Sequence, residues 1–436
     1  MAAVAVFVGA SVVQVQGHAS GALHVERAAA KGSARDPVSR RPTIAAAFTR
    51  ESFGPGETAT LALFGRARDV TVRLFRVGDA IGPLAQRDAM RGEQVGPDRH
   101  YDRLAPARVI HLGLGSGWAS GLYFAELTAP GDRVGYAPFV LAPRRLGSHR
   151  IAVVLPTQTW QAYNFRDDDH DGVGNTWYAS PEIATAALHR PYEDRGVPAH
   201  YRIYDEPFLR WLARNRYAVD YLSDAELRTT TGRTLAAGYE LLIFPGHHEY
   251  VTAPELRAVT GFRNRGGNLA FLSANNFFRK ITLDRGVMTI VGQWRKLGRP
   301  EAALIGVQYF SSGPVTSSGS SWIVRGGAAS ESLFRYTGLV PGSAFGSGGI
   351  EADRIAPSSP PGVEVVAEIP HVFGDGRKAQ MTIYRASSGA TVFAAGAFSL
   401  AASVWQPPVQ QLMINLIEDL SPGTPPPDVG AGAPGG

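Results

Sequence analysis

Three segments of the chain concentrate polar and aromatic side chains that could bind a metal or move a proton. They are Pro156–Asn164, Pro245–Tyr250 and Ser273–Arg279. Each directly follows an apolar run, which is typical of a strand buried on both faces. The second segment places two histidines, a glutamate and a tyrosine in succession, which a loop that only closes a turn rarely needs. We therefore predict that the three loops form one functional site.

Alternating strands and helices must position these loops. Apolar runs begin at Ile151, Val219, Tyr239 and Asn268, and helical patterns begin near residues 206 and 253. This alternation predicts a parallel, doubly wound sheet with an amidotransferase-like arrangement, spanning residues 148–420. Functional side chains in such sheets lie at the carboxyl ends of the strands, which is where the three loops fall.

Strand-like segments flank this region on both sides. Residues 43–145 contain short runs rich in Val, Thr, Leu and Phe, and several of them alternate apolar and polar residues with period two. Their number and spacing predict an immunoglobulin-like β-sandwich. Residues 300–385 are again strand-like, with Gly/Ser-rich interruptions, and we interpret them as a β-rich insertion in an otherwise α/β domain.

The ends of the chain differ in composition from the rest. Residues 1–22 contain an apolar stretch of the length of a signal-peptide core, although no Lys or Arg precedes it. Residues 23–42 are interpreted as a linker, and the Pro/Gly-rich residues 421–436 as a disordered tail. We expect a secreted or periplasmic protein without a membrane span, with a cytoplasmic location as the alternative.

Composition excludes several kinds of chemistry. The 436 residues contain no Cys, so disulfides, thiol nucleophiles and zinc–thiolate sites are excluded. The net charge of +5 comes from basic residues that are dispersed along the chain, so we predict no nucleic-acid surface. Ser273 lies where a nucleophile elbow would fall, with His247 or His248 as its base, but the Gly-x-Ser-x-Gly pattern is absent.

Metal binding fits the loop residues better. His247, His248 and Glu249 cannot all ligate one ion, because alternate side chains of an extended loop point to opposite sides. The anionic oxygens on offer are Glu249 and the phenols of Tyr163, Tyr178, Tyr204 and Tyr250. A phenol with a pKa near ~10 ligates well only as phenolate, which a highly charged hard cation can generate. Oxygen ligation therefore favours a trivalent ion such as ferric iron over zinc.

The loop motifs also carry a family resemblance. Thr-Trp-Gln-Ala-Tyr-Asn (159–164), Gly-His-His-Glu-Tyr (246–250) and Ser-Ala-Asn-Asn-Phe-Phe (273–278) resemble the C-terminal domain family of the N,N-dimethylformamidase beta subunit. The resemblance covers about residues 150–420, and the sandwich before it is similar to the family's usual neighbour. It implies amide hydrolysis at a mononuclear iron held by two tyrosines and one glutamate.

Carried over residue by residue, the resemblance assigns Tyr163 and Glu249 as iron ligands. Tyr178 takes the place of the second tyrosine, with Tyr204 as the alternative. This chain has Arg279 and Lys280 where family members often have Trp, and the amidase's supporting acid maps onto no residue.

The acidic stretch after Tyr163 suggests a second metal site. It reads Asp-x-Asp-x-Asp-Gly, the start of an EF-hand-type loop, but position 12 is Tyr178 in place of a bidentate Glu. The predicted calcium ligands are Asp167, Asp169, Asp171, Asn175 and Glu182. A bound calcium ion would make the segment between Tyr163 and Tyr178 more rigid.

Two functions remain open from the sequence. The first is a metal-dependent hydrolase of a C–N amide bond in a small-molecule substrate, in which His247 or His248 orients ligands or shuttles protons. Asn275 and Asn276 would donate hydrogen bonds to the developing oxyanion. The second is a non-catalytic exported protein that binds a ligand such as a glycan, with a structural calcium loop. A homo-oligomer or a small partner subunit is compatible with either function.

Overall fold

The structure is a computed structural model that describes residues 43–79, 89–178, 183–313, 320–374 and 376–423. The predicted signal peptide and linker, most of the predicted tail, and Glu182 lie outside the described residues. No helix in the described part of the chain is long and apolar enough to cross a membrane.

Two sheets form the N-terminal region. Their strands are β1 (Ala46–Phe48), β2 (Ser52–Phe53), β3 (Thr58–Leu63), β4 (Ala67–Arg76), β5 (Glu93–Leu104), β6 (Val109–Gly113), β7 (Gly121–Ala129) and β8 (Arg133–Leu141). One sheet has the order β1-β3-β6 and the other β2-β8-β7-β4-β5. Period-two alternation buries Leu61 in the first sheet and Val72 in the second, and both belong to one shared core.

The later strands form a large central sheet and a small side sheet. They are β9 (Ile151–Leu155), β10 (Thr185–Ala187), β11 (Val219–Ser223), β12 (Leu241–Phe244), β13 (Tyr250–Thr252), β14 (Asn268–Phe271), β15 (Arg279–Asp284), β16 (Val287–Gln293), β17 (Gln308–Ser312), β18 (Ser320–Val324), β19 (Ala344–Arg354), β20 (Glu364–Ile369), β21 (Ala379–Arg385), β22 (Thr391–Ala394) and β23 (Ala397–Phe398). In the central sheet β11-β9-β12-β14-β22 are parallel. Strands β21, β20, β18, β19 and β17 extend it with antiparallel pairs. The side sheet has the order β10-β16-β15-β13.

Short helices connect the strands. They are α1 (Thr157–Ala162), α2 (Tyr201–Tyr204), α3 (Glu206–Arg214), α4 (Asp224–Thr229), α5 (Gly232–Gly238), α6 (Ala253–Arg263), α7 (Ala302–Ile305), α8 (Ala328–Leu333) and α9 (Pro407–Leu420), with 3-10 helices at Trp294–Leu297 and Ala401–Ser403. Helix α3 buries Phe208 and Trp211 on one face, as its sequence pattern predicts. Helix α6 begins where Glu255 accepts a hydrogen bond from the Thr252 N–H.

The N-terminal sheets pack directly on the central sheet. Leu122 and Val140 of the former share a core with Ile151 and Val153 of the latter. The Ser120 hydroxyl also accepts a hydrogen bond of 2.8 Å from the Tyr221 N–H. The chain is thus a mixed α/β protein built mostly of sheets with few helices. Its immunoglobulin-like and amidotransferase-like topologies stay predictions.

Candidate functional site

The carboxyl ends of β9, β12 and β14 bring the three predicted loops together. Helix α1 follows β9 and places Tyr163 at its C-terminal end. The Phe277 N–H donates to the His248 carbonyl at 2.7 Å, which joins the loops after β12 and β14. Asn275 and Phe277 have φ values of 53° and 56°, so this loop contains two strained left-handed residues. The predicted convergence of the loops is therefore present.

Glu249 and Tyr163 form the centre of this site. The Tyr163 hydroxyl donates a hydrogen bond to Glu249 Oε2, and both residues are at least 92% buried. Burial raises the pKa of Glu249 to about 7, while hydrogen bonds from Tyr163 and Tyr250 and the charge of Arg279 oppose that rise. Burial, followed by the charge of Glu249, raises the pKa of the Tyr163 phenol well above 10. In this arrangement the phenol is neutral and acts as a donor.

His247 faces this centre. Its Nε2 lies 3.4 Å from Glu351 Oε2 and 3.7 Å from Glu249 Oε2, and it has no hydrogen-bond partner among the described residues. The imidazole packs edge-on against Tyr163, with ring centroids 5.3 Å apart. Burial, with the nearby His200 and His248, lowers the pKa of His247 well below 6.5. The ring is therefore neutral at pH 7, and Nε2 can accept a proton or ligate a metal.

Glu351 is a site residue that the sequence analysis missed. It lies on β19, far from the three loops in sequence, and no motif marks it. Burial and the charge of Glu249 raise its pKa well above the usual range, while a hydrogen bond from Asn275 lowers it. Two residues later, the Asp353 carboxylate accepts hydrogen bonds of 2.9 and 3.2 Å from the Asn275 N–H. The only signal for Glu351 in the sequence was this pair of acids at alternate positions of a predicted strand.

The three other predicted catalytic residues, His248, Asn275 and Asn276, differ in whether they contact the centre. His248 lies behind the loop, with its ring edge-on to Phe244, and burial lowers its pKa to about 3. Asn276 Oδ1 accepts a hydrogen bond of 3.2 Å from the His248 N–H, whereas Nδ2 is buried without a partner among the described residues. Asn275 reaches Glu351, as described above. Asn275 and His247 therefore touch the centre, and His248 does not.

The two candidates for a second tyrosine ligand differ in exposure. Tyr178 is 54% exposed, and its ring packs edge-on to Tyr163 with a centroid separation of 5.3 Å. Tyr204 is 9% exposed and stacks on Phe398, whose ring also contacts His247. Tyr250, on the first residue of β13, is the second phenol that hydrogen-bonds Glu249. Tyr178 and Tyr250 therefore contact the Tyr163–Glu249 pair, and Tyr204 lies one ring further away, on Phe398.

The acidic loop holds three carboxylates close together. Ligand oxygens of Asp167, Asp169 and Asp171 lie within 4.8 Å of one another, and no other such cluster of three His, Asp or Glu side chains exists within the described ranges. Desolvation raises the pKa of Asp167, but hydrogen bonds from the N–H groups of Gly172 and nearby residues outweigh it and lower the pKa. The amide nitrogen of Asn175 lies 3.4 Å from Asp169 and points its donor at that carboxylate.

A buried arginine joins the acidic loop to α1. Arg190 is 2% exposed and forms an ion pair of 2.6 Å with Asp168. Its guanidinium also donates to the carbonyls of Gln161 and Asn164, on either side of Tyr163, at 3.0 and 3.2 Å. A further bond of 2.7 Å reaches the Asn175 carbonyl at the end of the loop. Arg190 therefore fixes the backbone on both sides of Tyr163.

The donor set at the centre fits a hard cation. The carboxyl groups of buried Glu249 and partly buried Glu351 face a single nearby guanidinium, that of Arg279. His247 Nε2 and Glu351 Oε2 are buried without hydrogen-bond partners in the described part of the chain. Because no three His, Asp or Glu ligand atoms cluster here, an ion at this place would need phenol oxygens as well. Phenolate and carboxylate oxygens suit a trivalent ion.

Comparisons with known proteins give one extensive match. The sequence model of the family described as N,N-dimethylformamidase beta subunit-like, C-terminal, matches residues 93–407, well over half of the chain. No protein of curated function matches.

Three solved structures show weak likenesses to this chain. The mmIFT52 N-terminal domain is 15% identical, covers 48% of this chain and 87% of its own, and has a TM-score of 0.32. A superoxide reductase (neelaredoxin) from Ignicoccus hospitalis is 10% identical over 24% of this chain and 80% of its own, with a TM-score of 0.15. A Paenibacillus sp. cycloisomaltooligosaccharide glucanotransferase complexed with cycloisomaltoheptaose is 7% identical over 53% of this chain and 48% of its own, with a TM-score of 0.20. These likenesses carry no argument about fold or function.

Proposed function

This chain belongs to the family of N,N-dimethylformamidase beta subunit-like C-terminal domains, and from that premise we propose that it is a metal-dependent hydrolase of C–N amide bonds. The observation that carries the proposal is the buried Tyr163–Glu249 hydrogen bond, beside which His247 Nε2 and Glu351 Oε2 have no hydrogen-bond partner in the described part of the chain. Unpaired polar atoms at a buried centre are costly and are a common mark of a functional site.

The proposed metal is ferric iron, held by Tyr163, Glu249 and a second tyrosine. When bound, such an ion polarises the substrate carbonyl and lowers the pKa of a water molecule. Tyr178 is the second ligand that the family pattern favours, and Tyr204, whose ring stacks on the Phe398 ring that contacts His247, is the alternative. Visible spectra of Tyr178→Phe and Tyr204→Phe decide between them, since only loss of the ligand removes or strongly shifts a phenolate-to-iron band.

The chain's own side chains supply the proton transfers. His247 Nε2 can accept a proton from the attacking water as its oxygen bonds to the amide carbon. Glu351 Oε2, 3.4 Å away, can donate a proton to the amine nitrogen as the C–N bond breaks. Asn275 hydrogen-bonds Glu351 and orients it, and the unpaired Nδ2 of Asn276 is a candidate donor to the oxyanion.

The test is hydrolysis of short formamides and acetamides, followed as amine release. We expect His247→Asn and Glu351→Gln to lower kcat by about 10²-fold or more, as the loss of a general acid or base does. Tyr336→Phe, which changes a phenol that is 87% exposed, serves as the control. A full screen with no amide turned over by iron-loaded wild type contradicts the proposal.

The acidic loop supports a second, structural proposal. We propose that Asp167, Asp169, Asp171 and Asn175 bind calcium, with Glu182 as a further ligand, because three carboxylates already lie together there. Asn175 would have to turn its amide oxygen towards the ion. Added calcium should then raise the Tm of wild type but not of Asp169→Asn, and equal responses of the two proteins contradict the site.

The alternative function is that of a non-catalytic exported protein that binds a ligand such as a glycan. It would keep the calcium loop and dispense with iron, so a folded, iron-free protein with calcium bound favours it. Export and the oligomeric state, including a small partner subunit, stay predictions.

A further inference from the structure

A guanidinium lies among aromatic rings on the more exposed side of the centre. Arg279 is 31% exposed in its side chain, whereas Glu249 behind it is 6% exposed. The half-buried Tyr309 ring lies 5.3 Å from the Phe278 ring, and the Arg279 guanidinium lies over Phe278. Arg279 is therefore the more exposed partner in a charged contact with buried Glu249.

The backbone and an aromatic ring hold Arg279 in place. Its N–H donates to the Glu249 carbonyl at 2.9 Å, because β15 begins there and pairs with β13. Its guanidinium lies over the Phe278 ring, 4.9 Å from the centroid. The position of the charged group is thus fixed before any ligand binds.

The contact of this guanidinium with Glu249 is long. Nε lies 3.7 Å from Glu249 Oε1, which is too long for a hydrogen bond, and Nε is buried without a partner within the described ranges. Among the described residues, the Arg279 guanidinium forms no ion pair other than the one with Glu249. Arg295 shares the Phe278 ring but is paired with Glu301.

Because a guanidinium binds a carboxylate through two parallel hydrogen bonds, we propose, building on the proposed amide hydrolysis, that the substrate is an amide that also carries a free carboxylate, which Arg279 binds. N-acyl amino acids have this chemistry. The carboxylate pairs with the outer guanidinium nitrogens, and the scissile bond then faces Glu249 and His247. A neutral amide leaves the Arg279 donors without a partner and binds more weakly.

The test compares N-formylglycine with N-formylglycinamide, which differ only in this charge. For wild type we expect kcat/KM to favour the acid by about 10- to 100-fold, mainly through KM. Arg279→Gln should bring the ratio close to one. Arg279→Lys keeps the charge but cannot form two parallel hydrogen bonds with a carboxylate, so it should retain part of the preference for the acid. Arg285→Gln, at a side chain that is 91% exposed, removes the same charge at the other end of β15 and should leave the ratio unchanged. Iron content and Tm of each variant report whether the site stays intact.

A wild-type ratio of one or less overturns the proposal, as does a ratio that Arg279→Gln leaves unchanged. An equal loss of kcat for both substrates in Arg279→Lys also overturns it, because Arg279 would then act on the reacting amide itself. If neither compound is hydrolysed, calorimetry tests Arg279 independently of turnover, and the full amide screen decides on the proposed function. Binding of N-formylglycine at least 10-fold tighter than the amide, lost in Arg279→Gln, supports the carboxylate site without catalysis; equal or absent binding refutes it.

Discussion

The close approach of Gly246 to Asp205 predicts a large effect for one added methyl group. A Cβ atom on Gly246 would lie 2.0 Å from Asp205 Oδ1 and 2.9 Å from its Cγ. Asp205 is 1% exposed, and its Oδ2 accepts a hydrogen bond of 3.1 Å from Trp160 Nε1. The carboxyl group therefore cannot move aside without losing that bond and disturbing a packed core.

The loss of stability in Gly246→Ala has two sources, overpacking of the core and loss of the Asp205–Trp160 hydrogen bond. Overpacking a core costs about 1–3 kcal/mol, and the lost hydrogen bond about 0.5–1.5 kcal/mol. The free energy of unfolding should fall by about 2–4 kcal/mol, which for a chain of this length lowers Tm by roughly 2–5 °C. Thermal unfolding followed by circular dichroism measures the change. Gly117→Ala is the control, because no heavy atom lies within 4 Å of its added Cβ, and it should change stability by less than about 0.5 kcal/mol.

A double-mutant cycle isolates the clash. In an Asp205→Ala background the carboxyl group is gone, so Gly246→Ala should lose most of its cost, with a coupling energy of about 2 kcal/mol. An equal cost of Gly246→Ala in both backgrounds, or no cost in wild type, refutes the reasoning.

Two further predictions concern buried charges that hold the loops. Burial raises the pKa of Glu255 to about 7, so its stabilising contribution is complete below an unfolded value near ~4.3 and is lost as pH rises through about 7. Glu255→Gln should therefore make the free energy of unfolding in urea less dependent on pH between 5 and 8, by on the order of 1–3 kcal/mol, and identical pH profiles of the two proteins would contradict this. Arg190→Met should lower the free energy of unfolding by about 3–5 kcal/mol, because it leaves Asp168 and several buried carbonyls without their hydrogen-bond donor. A Tm drop no larger than that of Arg285→Met would show that these buried hydrogen bonds contribute little.

Continuous apolar runs allowed the centre of the fold to be predicted. Strands β9, β12 and β14 have every or nearly every residue buried, so their sequences identify a sheet covered on both faces and the loops that meet at its edge. Tyr163, His247 and Glu249 follow from those loops. The contact between them depends only on neighbouring parallel strands, which sequence patterns identify well.

The remaining site residues depend on distant pairings that local patterns do not encode. Glu351 reaches the centre because β19 joins the antiparallel part of the central sheet, where register shifts occur at several pairs. The sequence also did not show which histidine of the loop after β12 faces the centre, because adjacent histidines look equivalent there. In the structure His247 faces Glu249. The exposures of Tyr178 and Tyr204 likewise follow from tertiary packing.

The most direct test of the account is the iron content and visible spectrum of purified wild type and Glu249→Gln. Glu249→Gln keeps the size of the side chain and removes the anionic oxygen that the Tyr163 hydroxyl contacts. We expect about one iron per wild-type chain with a phenolate-to-iron charge-transfer band, and a folded variant without either. A folded wild-type protein that binds no transition metal, even after incubation with ferrous and ferric salts, would contradict it.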